Sequence, residues 1–299
     1  MVLTEQRPVD VAVGSATRVG GRDHQEDAVL AKPIGDRGDA WLLAVADGMG
    51  GHEGGEVASR LAIDALGARF SGAMPDDIAL ELKRAYREAN DRIWSEGGPD
   101  SARHMGTTLV SAVINGAYLT IANVGDSRAY LIRGQQVLQV TKDHSLVAEQ
   151  VEHGELTAGS ERQSPQRNVL TAAVGTTERL DRKLPEIFEL TLLPEDRLLL
   201  CSDGFYDVIE QREYSAQLAG DDPNTISLAL TSLAEQRGTT DNVSAVVLVA
   251  KPSRATSQRR ELETSLAEQQ PQGSPILIFV VIVVVILAIA AAGFYYFIW

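Results

Sequence analysis

The sequence predicts an α+β domain followed by one transmembrane helix, and three observations support that fold class. Strand-like apolar runs that are neighbours in the chain are joined by glycine-containing turns at Asn115-Gly116 and Gly134, which favours antiparallel hairpins. Amphipathic helices follow one another between groups of strands, as is typical of α+β proteins. Residues 276–298 form a stretch of 23 residues without a charged side chain.

The size and charge of the chain limit what the protein can be. Of its 299 residues, 44% are hydrophobic and 23% are charged, which is typical of a globular protein. Residues 1–250 contain no linker rich in proline and serine, so we predict a single folded domain. The net charge of −14 repels phosphate backbones and argues against nucleic acid as a partner. The single cysteine, Cys201, lies in an apolar run, which indicates a buried strand residue.

Helical spacing of apolar residues predicts two consecutive helices over 57–70 and 78–93. A last helix is predicted to begin near Asp222-Pro223, with the aspartate as its cap, and to end at Gly238. Residues 142–182 are polar and lack periodicity, which predicts an irregular flap over the domain. Strands are predicted at seven apolar runs: 41–46, 108–114, 118–122, 129–132, 186–192, 198–201 and 243–250.

The apolar stretch 276–298 is long enough to cross a membrane. As a helix it would rise about 35 Å, against a hydrocarbon core of about 30 Å. Basic residues precede the stretch and none follows it, which predicts a single-pass C-terminal anchor in the cell membrane with the folded domain on the cytoplasmic side. The polar residues 251–275 predict a flexible tether between the domain and the membrane.

Acidic residues stand beside several of the predicted strands. Two of them stand in an Asp-Gly pair at the end of an apolar run. The buried strand fixes the position of the acid, and the glycine permits a tight turn and close approach of a ligand. Carboxylates without convergent cysteine or histidine suit Mg²⁺ or Mn²⁺, and two such ions can clamp a phosphoryl group. For any single Asp-Gly pair, a plain turn is the default interpretation. The acids are Glu26, Asp27, Asp47, Asp126, Asp203 and Asp241.

Five segments that contain these acids resemble, in order and spacing, the motifs of the type 2C protein phosphatases. The resemblance covers residues 10–250 and is to the bacterial members. It implies a four-layer α-β-β-α arrangement, in which a central antiparallel β-sandwich is flanked by helix pairs and carries a metal centre at one end. The segments are Arg22-x-x-x-Glu26-Asp27, Asp47-Gly48-Met49-Gly50-Gly51, Val124-Gly125-Asp126-Ser127-Arg128, Cys201-Ser202-Asp203-Gly204 and Asp241-Asn242-Val243-Ser244.

The resemblance also implies a set of metal ligands for two Mn²⁺ or Mg²⁺ ions. Asp47 would bridge both ions. The carbonyl group of Gly48 and the side chain of Glu26 would complete one ion, and Asp203 and Asp241 would bind the other.

Further roles follow from the same resemblance. Arg22 would bind the phosphate, and Asp27 would orient metal-bound water. Asp126 would help to hold a third, weaker ion, whereas Arg128 is expected to form a structural ion pair. Met49 stands where some relatives carry a histidine that protonates the leaving oxygen, so metal-bound water or another residue must act as the acid.

The implied function is hydrolysis of phosphoserine and phosphothreonine on proteins by a hydroxide that bridges the two ions. The partners would be phosphorylated proteins, among them membrane Ser/Thr kinases, which the phosphatase would oppose, and their substrates. One alternative is a catalytically inactive, membrane-anchored scaffold that binds phosphoproteins, but no ligand is missing. A second alternative, a phosphatase with an aspartyl-phosphate intermediate, requires an Asp-x-Asp motif that the chain lacks.

Overall fold

The computed structural model describes residues 9–36, 38–50, 54–98, 105–157 and 159–252. The strands in these ranges are β1 (Val9–Arg18), β2 (Asp27–Ile34), β3 (Ala40–Met49), β4 (Gly106–Thr107), β5 (Leu109–Asn115), β6 (Tyr118–Val124), β7 (Arg128–Arg133), β8 (Gln136–Gln139), β9 (Glu186–Thr191), β10 (Arg197–Cys201) and β11 (Val243–Pro252). The α-helices are α1 (Gly54–Arg69), α2 (Ile78–Gly97), α3 (Leu146–Glu152), α4 (Asp203–Tyr206), α5 (Tyr214–Gln217) and α6 (Pro223–Gln236).

The strands form two antiparallel sheets. One sheet has the order β1-β11-β10-β7-β8, and the other has the order β2-β3-β5-β6-β9, with β4 paired to the end of β3. The predicted hairpins at Asn115-Gly116 and Gly134 join β5 to β6 and β7 to β8, and both glycines have positive φ angles, of 60° and 59°. A side chain at these positions would be strained, which explains the glycines.

The space between the two sheets holds the central apolar core. Along β3, Leu43 and Val45 point into this core, whereas Leu42, Ala44 and Ala46 belong to the cluster formed with the helices outside the sheet. Both faces of β3 are therefore buried, which is why its sequence is a continuous apolar run rather than an alternation of apolar and polar residues. Burial of each such leucine or valine contributes about 1.5–3 kcal/mol.

Helices cover the outer faces of both sheets. Helices α1 and α2 pack on the sheet that contains β3, and α6 packs on β1 and β11. The two long helices that the sequence predicts are present, and Asp222 caps α6 by accepting hydrogen bonds from the backbone of Asn224 and Thr225, each at 3.2 Å. The predicted α-β-β-α layering is thus confirmed.

Several elements differ from the prediction, because strands β1, β2, β4 and β8 and the short helices α3, α4 and α5 were not predicted. Strand β1 was not predicted because Gly14 interrupts its pattern; a Cβ atom there would lie 2.4 Å from the backbone of α6, so the glycine permits close packing. Strand β8 was not predicted because it is short and begins and ends in glutamine. The flap, residues 142–182, is largely irregular as predicted, but it contains α3, which Ser145 caps.

Among the residues that the structure describes, no helix is both long enough and apolar enough to cross a membrane. The predicted membrane segment 276–298 lies outside the described residues, and so does the tether beyond Pro252. Both stay predictions, as does the domain boundary at residue 250.

Candidate metal centre

The acids that the sequence singles out lie together at one end of the sandwich, where several strands begin or end. Five of the six acids line a pocket of about 610 Å³ with Arg22 and Gly48. Asp27 is buried directly behind this pocket, because it lies opposite Asp47 in the pairing of β2 with β3. The lining acids are Glu26, Asp47, Asp126, Asp203 and Asp241.

Strand β3 delivers Asp47 to the pocket without the expected turn. The chain stays extended to Met49 because neighbouring segments continue to pair with it. The Gly48 N–H donates to the carbonyl group of Glu26 at 3.1 Å, and the Thr108 N–H donates to the carbonyl group of Asp47 at 2.9 Å. A Cβ atom at Gly48 would lie 2.0 Å from the carbonyl oxygen of Gly55. The prediction of a tight turn was therefore wrong here, and the glycine instead permits close approach of α1.

Strand β10 delivers Asp203 in a different way. Asp203 is the first residue of the short helix α4, and a Cβ atom at Gly204 would lie 2.1 Å from the carbonyl oxygen of Asn242. Ser202, just before the helix, donates its hydroxyl hydrogen to Oδ2 of Asp27 at 2.8 Å and accepts the Ser244 N–H at 3.0 Å. Ser202 therefore connects the end of β10 to the buried acid behind Asp47.

One organising residue was quoted in a motif but received no role from the sequence. The buried side chain of Asn242 donates to the carbonyl oxygens of Val19 and His24, at 2.8 and 2.9 Å, and accepts the Glu26 N–H at 2.8 Å. It thereby fastens the segment that carries Arg22 and Glu26 to the start of β11. The signal that could have found it is an amide side chain between an acid and a buried strand, since a buried amide needs hydrogen-bond partners.

Arg22 lies at the mouth of the pocket with its side chain half exposed. One of its terminal nitrogens donates to Oδ2 of Asp241 at 2.6 Å. This hydrogen bond raises the pKa of the Arg22 guanidinium above its ordinary value. The arginine is therefore held beside the acids while its remaining N–H groups are left to bind another anion.

The acids destabilise one another's charged forms. Burial, and then repulsion from Asp27 and Asp203, holds the pKa of Asp47 well above its usual range. Burial raises the pKa of Asp27 to about 6, and burial together with repulsion from Asp143 raises that of Asp126 to about 7. Burial, followed by repulsion from Asp126, likewise holds the pKa of Asp203 well above its usual range.

These properties fit hard divalent cations. One carboxylate oxygen of Asp27 and one of Asp203 are buried and have no hydrogen-bond partner within the described part of the chain. Oxygen atoms of this kind, in a cluster of like charge, are stabilised when a cation binds between them. Within the same ranges, no three His, Cys, Asp or Glu side chains form a ready-made cage around one point. The structure thus brings the predicted ligands to one pocket, whereas their individual roles stay predictions.

Arg128 forms the structural ion pair that was predicted for it. Its guanidinium group donates to both carboxylate oxygens of Asp143, with the shortest contact at 2.7 Å, and its carbon atom lies 3.6 Å from the centre of the Tyr206 ring. Asp143 is one of the first residues of the flap, and Arg128 is two residues after Asp126. The ion pair therefore connects the start of the flap to the strand beside Asp126.

Comparison with known proteins gives the family. Residues 14–240 match the model of the family described as protein phosphatase 2C. The chain belongs to the protein phosphatase 2C family. The serine/threonine phosphatase Stp of Listeria monocytogenes is 36% identical over 178 residues, which are 58% of this chain and 69% of that protein. Protein phosphatase PhpP of Streptococcus pneumoniae is 33% identical over 217 residues, which are 71% of this chain and 87% of that protein.

A solved relative bears on the metal. The catalytic domain of the serine/threonine protein phosphatase PstP, in complex with two manganese ions, is similar with a TM-score of 0.72 and 31% identity, covering 82% of this chain and 99% of that one. Family membership confirms the predicted enzyme class, a metal-dependent protein-serine/threonine phosphatase. The predicted pair of divalent ions is confirmed for the family by the same relative.

Proposed function

We propose that the acidic pocket is the dinuclear catalytic centre and that this chain hydrolyses phosphoserine and phosphothreonine on other proteins. Glu26, Asp47 and the Gly48 carbonyl group would hold one ion, while Asp47, Asp203 and Asp241 would hold the other. The observation that carries the proposal is the convergence of these residues on one pocket from strand ends that are far apart in sequence. Asp126, on the same wall, would hold a third ion more weakly.

When bound, the ions would supply a deprotonated water as nucleophile and positive charge for the phosphoryl oxygens. Arg22 would bind those oxygens with the N–H groups that Asp241 does not use, since a planar fork suits two oxygens at once. Asp27 would orient the attacking water through its unpartnered Oδ1, while Ser202 holds the other oxygen of the same carboxylate. Met49 also lines the pocket but cannot donate a proton, so bound water or another residue would protonate the leaving oxygen.

The activity test uses the full-length protein and a phosphothreonine peptide. We expect Mn²⁺-dependent release of phosphate, and a loss of about 100-fold or more in kcat/KM for Asp47→Asn and for Asp203→Asn, because each removes charge from the proposed cage. The matched control is Asp64→Asn, since Asp64 is exposed on α1, away from the pocket. Full activity of both variants would refute the assignment, whereas Mn²⁺ binding without turnover would favour the inactive scaffold.

We further propose that residues 276–298 anchor the enzyme in the cell membrane, with the catalytic domain in the cytoplasm. Support comes from the uncharged apolar stretch and from the basic residues that precede it. Tethering raises the effective concentration of the enzyme near membrane-bound substrates, such as Ser/Thr kinases whose action it would oppose.

The anchor is tested by deleting residues 271–299. We expect the shortened protein to leave the membrane fraction of cells and to dephosphorylate a membrane-bound Ser/Thr kinase more slowly. Its activity on a soluble phosphopeptide should be unchanged. Equal dephosphorylation of the membrane kinase by both forms would count against tethering.

A further inference from the structure

The hydroxyl group of Tyr206 connects two acids of the pocket. Tyr206 is the last residue of α4, and it donates a hydrogen bond of 3.1 Å to the backbone carbonyl group of Asp126, which is 80 positions away in the sequence. The first residue of the same helix is Asp203. One short helix therefore carries one acid directly and holds the backbone of the other.

The ring of Tyr206 is itself held in place. The guanidinium group of Arg128 lies over the ring at 3.6 Å from its centre, a favourable position for a cation over an aromatic face. Asp143 binds that guanidinium group through Nε and Nη2, and Nη1 donates to the hydroxyl oxygen of Tyr130 at 3.0 Å. The orientation of the Tyr206 hydroxyl group is thus fixed by a partly buried chain of contacts that begins in the flap.

The turn before Asp126 is held from its other side as well. Gly125, with φ of 104°, donates its N–H to Nδ1 of His144 at 3.0 Å, and its carbonyl oxygen accepts the backbone N–H of His144, also at 3.0 Å. The first residues of the flap therefore contact the Gly125–Asp126 backbone directly, and they also contact it through Arg128 and Tyr206.

A purely structural role for Tyr206 is the alternative. Its ring belongs to the apolar cluster beneath α6, and any buried tyrosine hydroxyl needs a hydrogen-bond partner. Tyr214 provides the comparison, because its buried hydroxyl donates to the carbonyl group of Ile209 at 3.4 Å and touches no acid of the pocket. Of these two tyrosines of one cluster, only Tyr206 holds the backbone of a predicted metal ligand.

We propose that Tyr206 is a positioning residue that fixes Asp126 relative to Asp203, and that Asp143, Arg128 and His144 link this arrangement to the flap. The inference rests on the proposed function, because it assigns Asp126 to a metal site. A hydrogen bond to the main chain of a ligand sets where its carboxylate can reach, and supporting contacts of this kind tune metal affinity.

The test compares Tyr206→Phe with Tyr214→Phe in the full-length protein. Each variant loses one buried hydroxyl group from the same cluster. We expect Tyr206→Phe to raise the Mn²⁺ concentration for half-maximal phosphopeptide hydrolysis about tenfold and to weaken the Mn²⁺ binding measured by equilibrium dialysis. Tyr214→Phe should alter neither measurement, although both variants should melt at a lower temperature.

The outcomes separate the two proposals. A wild-type protein without Mn²⁺-dependent hydrolysis would refute the proposed function. An active wild type, together with equal Mn²⁺ dependence in the two variants, would refute the positioning role alone. If Tyr206→Phe does not fold, Arg128→Lys replaces it, because it leaves Tyr206 intact and keeps the positive charge while it removes the planar group over the ring. We then expect a smaller shift in the same direction, and no shift would overturn the inference.

Discussion

The ends of β3 and β10 carry the same pair of residues, Asp-Gly after an apolar run, yet they have different structures. After Asp47 the chain remains a strand, because the carbonyl group of Glu26, just before β2, and strand β4 continue to pair with it. After Cys201 the pairing with β7 and β11 ends, and Asp203 begins a helix. The comparison teaches that neighbouring strands decide the local structure of the acid, whereas the glycine is required at both places for close approach of another backbone segment.

The largest effect that would test this comparison comes from the glycines themselves. Gly48→Ala and Gly204→Ala should each reduce the free energy of unfolding by about 3 kcal/mol, because the new Cβ atom would lie 2.0 or 2.1 Å from a backbone oxygen. Gly67→Ala, in α1 and with open space around its Cβ position, should instead stabilise by about 0.5–1 kcal/mol. Urea unfolding measures all three, and a neutral Gly204→Ala would show that only β3 needs its glycine.

A smaller effect concerns Asp27, which lies between the two ends. Its pKa of about 6 in the folded protein exceeds the unfolded value of about 3.9, so the folded protein keeps a proton that the unfolded chain has lost. Asp27 should therefore make the metal-free protein less stable as the pH rises from about 4 to 7, and it should contribute up to about 1.4 kcal/mol per pH unit to the total slope. Asp27→Asn should reduce the slope between about pH 4 and 6 in EDTA by about this amount, whereas an unchanged slope would contradict the raised pKa.

The smallest effect is expected at Ser202, whose hydroxyl group joins the end of β10 to Asp27. Ser202→Ala should cost about 1 kcal/mol of stability, because the buried Ser244 N–H loses its acceptor and Asp27 loses a donor. The control is Ser59→Ala, since this buried serine donates only within α1, to the carbonyl group of Glu56 at 3.2 Å. Equal costs in thermal unfolding would mean that the connection between the two ends adds no stability.

The sequence predicts the long helices and most strands correctly because their apolar patterns are strong and continuous. Patterns of this kind are weak in β1, where Gly14 makes room for α6, and in β8, which lies at a sheet edge. The helix at Asp203 was not predicted because the cause of its formation, the end of pairing on both sides, depends on residues distant in sequence. Tertiary context overrides local preference in such cases.

The candidate site likewise has features that were predicted from the sequence and features that were not. The convergence of the acids was predicted from motifs at strand ends, and the structure places them in one pocket. The contributions of Asn242, Ser202 and Tyr206 were not predicted, because each acts through a hydrogen bond to a partner at least 40 positions away. Hydrogen bonds over such separations leave no periodic signal in the sequence, so only the folded structure reveals them.

The side-chain amide of Asn242 has a consequence for when the pocket can assemble during translation. Because it fastens residues near position 20 to the first residues of the last strand, the pocket combines parts of the chain that leave the ribosome at the beginning and at the end of translation of the domain. Contacts over such a separation form late. We therefore expect a nascent polypeptide that stops before β11 to lack the assembled pocket, so that activity would appear only after the whole domain has been synthesised.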